Sequence, residues 1–308
     1  ILVEDPKRAL YEIQKAIHIA TTGRPGPVWV DIPADIQNAR LEEAEFETFR
    51  PEEGSPVQYD SHLVEKVAQI AEALRGAERP LVHVGQGIKL AGCVDDFFDL
   101  VELYKIPFVT ARNANELVDS DHHLYAGRPG TYPQRCANLA VQNADVYIAV
   151  GTRLSLSQTS YNSKDFARNA FKVMVDIDKT ELEKKTLDLD IRVHCDARAF
   201  FEELSRQLSG ATIRSSSWVK QCQDWRARYP VVLPEHRAQS RYVNSYYFTD
   251  VLSDLLVKDD IVVTDMGLAF QGTHQAFRVK KGQHLLTNSG FASMGWGLPA
   301  AFGASVAA

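Results

Sequence analysis

Five short segments of this sequence place glycine, arginine or an acid directly after an apolar run, a pattern suited to holding a nucleotide. They are Gly85-Gln86-Gly87, Thr110-Ala111-Arg112, Gly151-Thr152-Arg153, Asp176-Ile177-Asp178 and Asp196. Glycine lets backbone approach a ligand closely, arginine answers a phosphate, and an acid after a strand accepts ribose hydroxyls. Plainer roles stand beside these. Strand-end glycines also simply turn the chain, and Asp176 with Asp178 also suits an N-cap for the segment starting at Lys179.

Two glycine-bearing loops add to the inventory. Gly127-Arg-Pro-Gly130-Thr-Tyr either cradles a diphosphate or is a loop before the next helix. The stretch from Asn288 through Gly290, Ala292, Met294, Gly295 and Gly297 to Gly303 reads as a loop entering a helix. Its small residues permit close packing against a ligand or another subunit, with Met294 as a flexible apolar prop; a Gly/Ala helix contact fits the composition equally. His122-His123 has the residue type of a metal site, but adjacent residues do not ordinarily converge on one ion, so the pair is assigned to the surface. Cys93, Cys136, Cys195 and Cys222 are scattered without a C-x-x-C, which indicates neither zinc nor a disulfide framework, but reduced, buried thiols.

These residues need elements to hold them. Asp5, Pro6 and the spacing of Leu10, Ile13, Ile17 and Ala20 predict a helix ended by Gly23, with a short strand over 28–32. Glutamate-rich, aperiodic 42–60 is expected to be a linker. Beyond it the pattern alternates: helix from 61, strand 81–84, helix 94–104, strand 107–110, helix 134–142, strands 146–150, 172–175 and 192–194, helix 197–208. That order predicts an α/β fold, a Rossmann-like doubly wound parallel sheet covered on both faces. A second linker begins at 209, followed by a helix over 218–228. A third unit has a helix capped by Ser245, with Phe248, Val251, Leu252 and Leu255 on one face, and a strand 261–264 ending at Asp265-Met266-Gly267.

Composition narrows the classes. Of 308 residues, 34 are Lys or Arg and 40 are Asp or Glu, a formal charge of −6 without a basic block, which argues against nucleic acid and anionic membranes as partners. No apolar run approaches the ~18 residues of a membrane span. No targeting segment is evident, so a cytoplasmic location is expected. The start at Ile1 and the apolar small-residue stretch at 297–308 lead to the expectation of a fragment.

Three motifs occur in order: Gly23-Arg-Pro-Gly-Pro-Val-Trp-Val-Asp-Ile-Pro33, Val175-Asp-Ile-Asp178 with Glu181, and Met294-Gly-Trp-Gly-Leu-Pro-Ala-Ala-Phe-Gly303. On these the chain resembles thiamine diphosphate-dependent enzymes of the acetolactate synthase large-subunit type, across essentially its whole length. The resemblance implies the tail of a pyrimidine-binding domain over 1–41, a linker over 42–60, a central Rossmann-like domain over 61–210, a linker over 211–239 and the start of a diphosphate-binding domain over 240–308. It also implies that the activating glutamate precedes Ile1 and that the Gly-Asp-Gly magnesium motif follows Ala308. No catalytic residue or metal ligand is then expected within the chain, which alone should be inactive.

For thiamine diphosphate the matching positions are Met266 and Gly267 at the diphosphate, with Gly290, Ala292 and Met294 around the aminopyrimidine; Leu268-Ala269 replaces side chains that usually hydrogen-bond there. For FAD they are Gly85, Gly87, Thr110, Gly130, Gly151, Arg153, Asp176 and Asp196, with departures at Pro133 and over 154–157. The implied activity is decarboxylation of a 2-keto acid such as pyruvate and transfer of a two-carbon unit to a carbonyl acceptor, in a homodimer or homotetramer using Mg2+. A simple 2-keto acid decarboxylase and a non-catalytic nucleotide-binding or assembly module are the alternatives.

Overall fold

The computed structural model describes residues 1–53 and 59–308, and the chain divides into two units, Ile1–Asp60 and Ser61–Ala308. In the first, the Asp5 side chain accepts from Lys7 N–H at 2.9 Å, and Pro6 opens a 3-10 turn that continues as α1 (Ala9–Thr21). The strand expected over 28–32 is replaced by a single parallel bridge, Leu2 to Asp31. Val-Trp-Val has strand composition, but a strand needs a ladder of neighbours, and here one residue pairs. Part of the expected linker instead packs back on α1: Phe49 meets Tyr11 edge-on at 5.5 Å, and Arg8 pairs with Glu47 at 3.0 Å. Residues 54–58 of that span lie outside the described residues.

The second unit is built on a parallel sheet of β1 (Pro80–Val84), β2 (Phe108–Thr110), β3 (Val146–Val150), β4 (Phe171–Asp176) and β5 (Ile191–His194), in the order β2-β1-β3-β4-β5. β1 and β3 are buried at every position, as expected of strands covered on both faces. Alternate residues serve different layers. Val82, Val84, Ile148, Val150, Val173 and Val175 pack under α2 (Leu63–Gly76), α3 (Val94–Tyr104) and α5 (Ala197–Leu208). Leu81, Tyr147, Ala149 and Met174 face α4 (Arg135–Asn143) and α6 (Ser216–Arg228). Phe97, Phe108 and Phe200 are fully buried, each contributing about 1.5–3 kcal/mol of hydrophobic stabilisation. The expected doubly wound α/β fold is present.

The span 211–239 carries α6, docked on this sheet: Trp218 and Cys222, one helical turn apart, are buried, and Trp218 donates its indole N–H to Pro80 C=O at 3.1 Å. Further along lie α7 (Ser245–Leu255), β6 (Ile261–Thr264), α8 (Leu268–Ala276), β7 (His284–Thr287) and α9 (Gly297–Ala307), with β6 and β7 paired in parallel. The cap of α7 is Asn244 rather than Ser245, since Asn244 Oδ1 accepts from Tyr246 N–H and Tyr247 N–H. This helix buries Thr249, Asp250 and Ser253 and exposes Phe248, Val251 and Leu255, so its apolar stripe faces outward. Among the described residues, no helix is long and apolar enough to cross a membrane.

Candidate functional site

β6 and β7 end in matched threonines, Thr264 opposite Thr287, whose hydroxyls are both buried without a hydrogen-bond partner. The chain then turns at Asp265, and this residue organises everything beyond it. Its Oδ1 accepts from Met266 N–H at 2.7 Å and Gly295 N–H at 3.2 Å, and its Oδ2 accepts from Gly297 N–H at 3.1 Å. One carboxylate thus joins the loop after β6 to the loop entering α9. These main-chain donors, Met266 first, then Gly297 and Gly295, hold the Asp265 carboxyl below the usual carboxylate range. Gly297 has no room for a side chain, because a Cβ there would lie 2.9 Å from the Asp265 backbone N.

Five sequence-expected residues are assembled here. Gly267, with φ 76° and ψ −137°, takes a backbone shape suited to glycine and opens α8, whose first N–H groups have no intrahelical acceptors. Gly290 is exposed, Ala292 has a left-handed φ of 58° in a turn closed by its N–H to Asn288 C=O, and Met294 is 91% exposed. The residues present are compatible with a thiamine diphosphate: main-chain N–H donors open α8, and the exposed Met294 side chain lies beside exposed backbone. Leu268 is exposed and adds no hydrogen bond, so the diphosphate would be held by main chain.

The far end of α8 is locked to the five-stranded domain. Arg128, 1% exposed, donates to His274 C=O at 2.8 Å and Phe277 C=O at 2.6 Å, so the arginine of the Gly127–Gly130 loop is aimed at the helix terminus. Gln134 donates to Gln275 C=O and Gln275 to Pro133 C=O, both at 2.9 Å. Burial, with help from Arg128 and Arg112, pushes the His274 imidazole well below its ordinary value. Asp265, Arg128 and His274 were not singled out as site residues from the sequence; the one visible signal was an acid ending an apolar strand just before Met266-Gly267.

The remaining expected residues cluster at the carboxyl edge of the five-stranded sheet. β1 and β3 flank the topological switch point, where open α/β sheets bind ligands. A Cβ on Gly85 would sit 2.1 Å from Gly151 C=O, and one on Gly87 2.5 Å from Gly151 Cα, so these glycines make room first for each other. Gly130 likewise abuts Ser157 C=O, and its N–H reaches Asn138 Oδ1. Thr110 bonds the Tyr125 hydroxyl at 2.8 Å, Arg153 Nε donates to Glu181 at 2.8 Å, and Asp176 accepts from Asp178 N–H at 2.9 Å. Asp196 caps α5 by accepting from Arg198 N–H. Gln86 Oε1, between the two glycines, is buried without a partner. The acids and Arg153 Nε are thus held by the chain's own groups, while the Arg153 side chain stays 60% exposed and Gln86 Oε1 is unpartnered. All four cysteines are free and buried, and burial pushes Cys93 and Cys222 up to about 12, so neither is a nucleophile.

A doubly wound parallel sheet joined to a second set of main-chain donors at a helix N-terminus defines a class. Residues 67–204 match the thiamine pyrophosphate enzyme central domain and residues 265–308 the C-terminal TPP binding domain of the same enzymes. The chain belongs to the thiamine pyrophosphate enzymes. Among individual proteins it is 31% identical to the acetolactate synthase isozyme 3 large subunit of Escherichia coli K12, over 96% of this chain and 51% of that one. It is 29% identical to the acetolactate synthase large subunit of Lactococcus lactis (96% and 50%), and 27% identical to a probable acetolactate synthase large subunit of Methanocaldococcus jannaschii (99% and 52%). The chain spans about half the length of the curated relatives it matches.

Proposed function

We propose that this chain is part of a thiamine diphosphate-dependent enzyme that decarboxylates a 2-keto acid, pyruvate in the first instance, and transfers the two-carbon unit to a carbonyl acceptor, as an acetolactate synthase does. The observation that carries this reading is the Asp265 carboxylate, which ties the Met266-Gly267 turn to the Gly295–Gly297 turn. It fixes the diphosphate and aminopyrimidine segments in one register before any ligand arrives. When bound, thiamine diphosphate supplies the thiazolium carbon that adds to the keto acid and takes up the electron pair left as CO2 departs. This chain's residues would bind and orient it: the Gly267–Leu268 backbone would hold the diphosphate, and Ala292 C=O, Met294 N–H and the exposed Met294 side chain would hold the aminopyrimidine.

Mg2+ at the diphosphate, FAD in the central domain, a homodimer or homotetramer, and a cytoplasmic location belong to the same proposal. FAD is supported by the switch point between β1 and β3, by the unpartnered Gln86 Oε1 and by the Arg153 side chain, which stays 60% exposed beside its bond to Glu181. The experiment is to purify the full-length protein, release bound cofactors by heat, and assay pyruvate turnover with both cofactors supplied. Released thiamine diphosphate and an acetolactate-type product support the reading, and an aldehyde product assigns a simple decarboxylase. Failure to bind thiamine diphosphate favours a non-catalytic assembly module, the alternative to which Leu268-Ala269 points. Light scattering tests the assembly, and a monomer at micromolar concentration would overturn the oligomer.

A further inference from the structure

His122 and His123 do not diverge as adjacent residues ordinarily do. The turn closed by His122 N–H to Asp119 C=O at 3.0 Å sends both rings to one side, where they stack with centroids 5.0 Å apart and planes 13° apart. Opposite them, in the last turn of α3, Glu102 places Oε1 3.1 Å from His122 Nε2 and Oε2 3.5 Å from His123 Nε2. One ligand atom from each of the three lies within 4.8 Å of the others. We propose that Glu102, His122 and His123 form a binding site for a divalent cation of the zinc class, with water completing the coordination.

Two imidazole nitrogens and one carboxylate oxygen suit Zn2+ and late first-row ions, whereas Mg2+ and Ca2+ prefer oxygen alone. The site is largely preformed. The His122 ring packs on Phe98 at 5.4 Å and Phe108 at 5.2 Å, while Arg226 and Gln223 hold the backbone carbonyls of His122 and His123.

Two present interactions must yield on loading. Leu124 N–H donates to His122 Nδ1 at 3.2 Å, which puts the ring proton on Nε2; coordination through Nε2 moves that proton to Nδ1 and gives up this bond. Lys105 Nζ, 3.0 Å from Glu102 Oε2, must swing away. Of the other charged groups beside the site, Asp119 favours a cation and Arg226 opposes it.

The test uses the full-length protein stripped with chelator and titrated with Zn2+ by calorimetry, then with Co2+ by visible absorption. One Zn2+ per chain at this site is expected, with H123A and E102Q each losing at least tenfold in affinity and losing the Co2+ band. Excess Mg2+ should not compete. Lys105→Gly, which the left-handed backbone at φ 53° accommodates, removes the competing ammonium and should tighten Zn2+ several-fold. No Zn2+ binding by the unsubstituted protein, or an affinity unchanged in both H123A and K105G, overturns the site. Because thiamine diphosphate is absent from the titration, its binding elsewhere fails or succeeds independently.

Discussion

The guanidinium of Arg128 donates to the backbone carbonyl of His274 at 2.8 Å, although the two residues are far apart in sequence and both are buried. A second N–H of Arg128 reaches Phe277 C=O, so one side chain closes the carboxyl end of α8, where the helix leaves carbonyls without partners and its dipole is negative. The other end of the same helix begins at Gly267. Arg128 therefore sets where the Met266-Gly267 turn lies relative to the five-stranded domain.

Replacing Arg128 with methionine keeps most of the bulk but leaves two buried carbonyls unpaired. The expected loss is about 2–4 kcal/mol in stability, from two lost charge-assisted bonds. Thiamine diphosphate affinity should fall as well, since α8 loses its anchor. Urea unfolding followed at the tryptophans, together with a cofactor titration, measures both, and unchanged midpoints would show that the clamp is redundant.

The glycines at the switch point make a different demand. Gly151 has φ 59°, and a Cβ on it would lie 2.7 Å from Gly87 Cα. Alanine there meets both a strained backbone and a rigid neighbour, so Gly151→Ala should destabilise by roughly 2–4 kcal/mol. Alanine at Gly26, which has open space around it, is the control and should change stability by less than about 1 kcal/mol. Thermal unfolding of the two variants separates close backbone approach from a general intolerance of alanine.

Much of this sheet was legible because parallel strands covered on both faces read as nearly continuous apolar runs: Leu81 to Val84, interrupted only by His83, and Val146 to Val150 need no partner information to be recognised. Val28 to Ile32 has a similar composition, yet it forms one isolated bridge, Asp31 to Leu2, because pairing depends on what folds beside a segment. β7 and α8 escaped notice for the converse reason. His284-Leu-Leu-Thr is short and half-exposed, and becomes a strand only beside β6. The site was partly legible. Met266, Gly267, Ala292 and Met294 stood out by motif, but the carboxylate that joins them and the arginine that anchors their helix act through main-chain contacts, which leave no spacing to read.

A buried polar chain runs across β1 and β3 and on to Gln158. His83 Nδ1 lies 2.5 Å from the Tyr147 hydroxyl, His83 Nε2 lies 3.2 Å from Gln158 Nε2, and Thr152 donates to Gln158 Oε1 at 3.2 Å. Burial pushes the His83 imidazole down to about 3 and the Tyr147 phenol well up, so both are neutral at working pH. Unfolded, a histidine titrates near 6.5, so between about 6.5 and 3 the unfolded chain holds a proton the folded one does not. Stability is full above pH 6.5 and falls as pH drops through that window, by up to about 1.4 kcal/mol per pH unit from this group. His274, depressed in the same direction, adds to the slope. Unfolding midpoints measured from pH 7 to pH 4.5 should decline accordingly, and His83→Gln should flatten the decline by about one proton; an equal slope in both proteins would remove His83 as its source.

Asp265 offers the sharpest separation of binding from folding. Its carboxylate accepts three main-chain N–H groups, and those donors persist whether or not the acceptor is charged. Asp265→Asn keeps the shape but replaces one acceptor oxygen with a donor, setting an N–H against an N–H at Met266 and Gly295 or at Gly297. The two turns should then part, while the sheet of β1 to β5, which Asp265 does not touch, stays folded. The expected outcome is thiamine diphosphate binding weakened by about 10- to 100-fold, with little change in the main unfolding transition. The pH dependence carries the same signature with its own sign. Because the folded pKa is depressed, the stabilisation is complete above the unfolded value near 3.8 and is lost only as pH falls through the lower folded value. Cofactor affinity should therefore not titrate through Asp265 between pH 7 and pH 5. A D265N protein that binds thiamine diphosphate as tightly as the unsubstituted one would mean that the two turns are held in register by something other than this carboxylate.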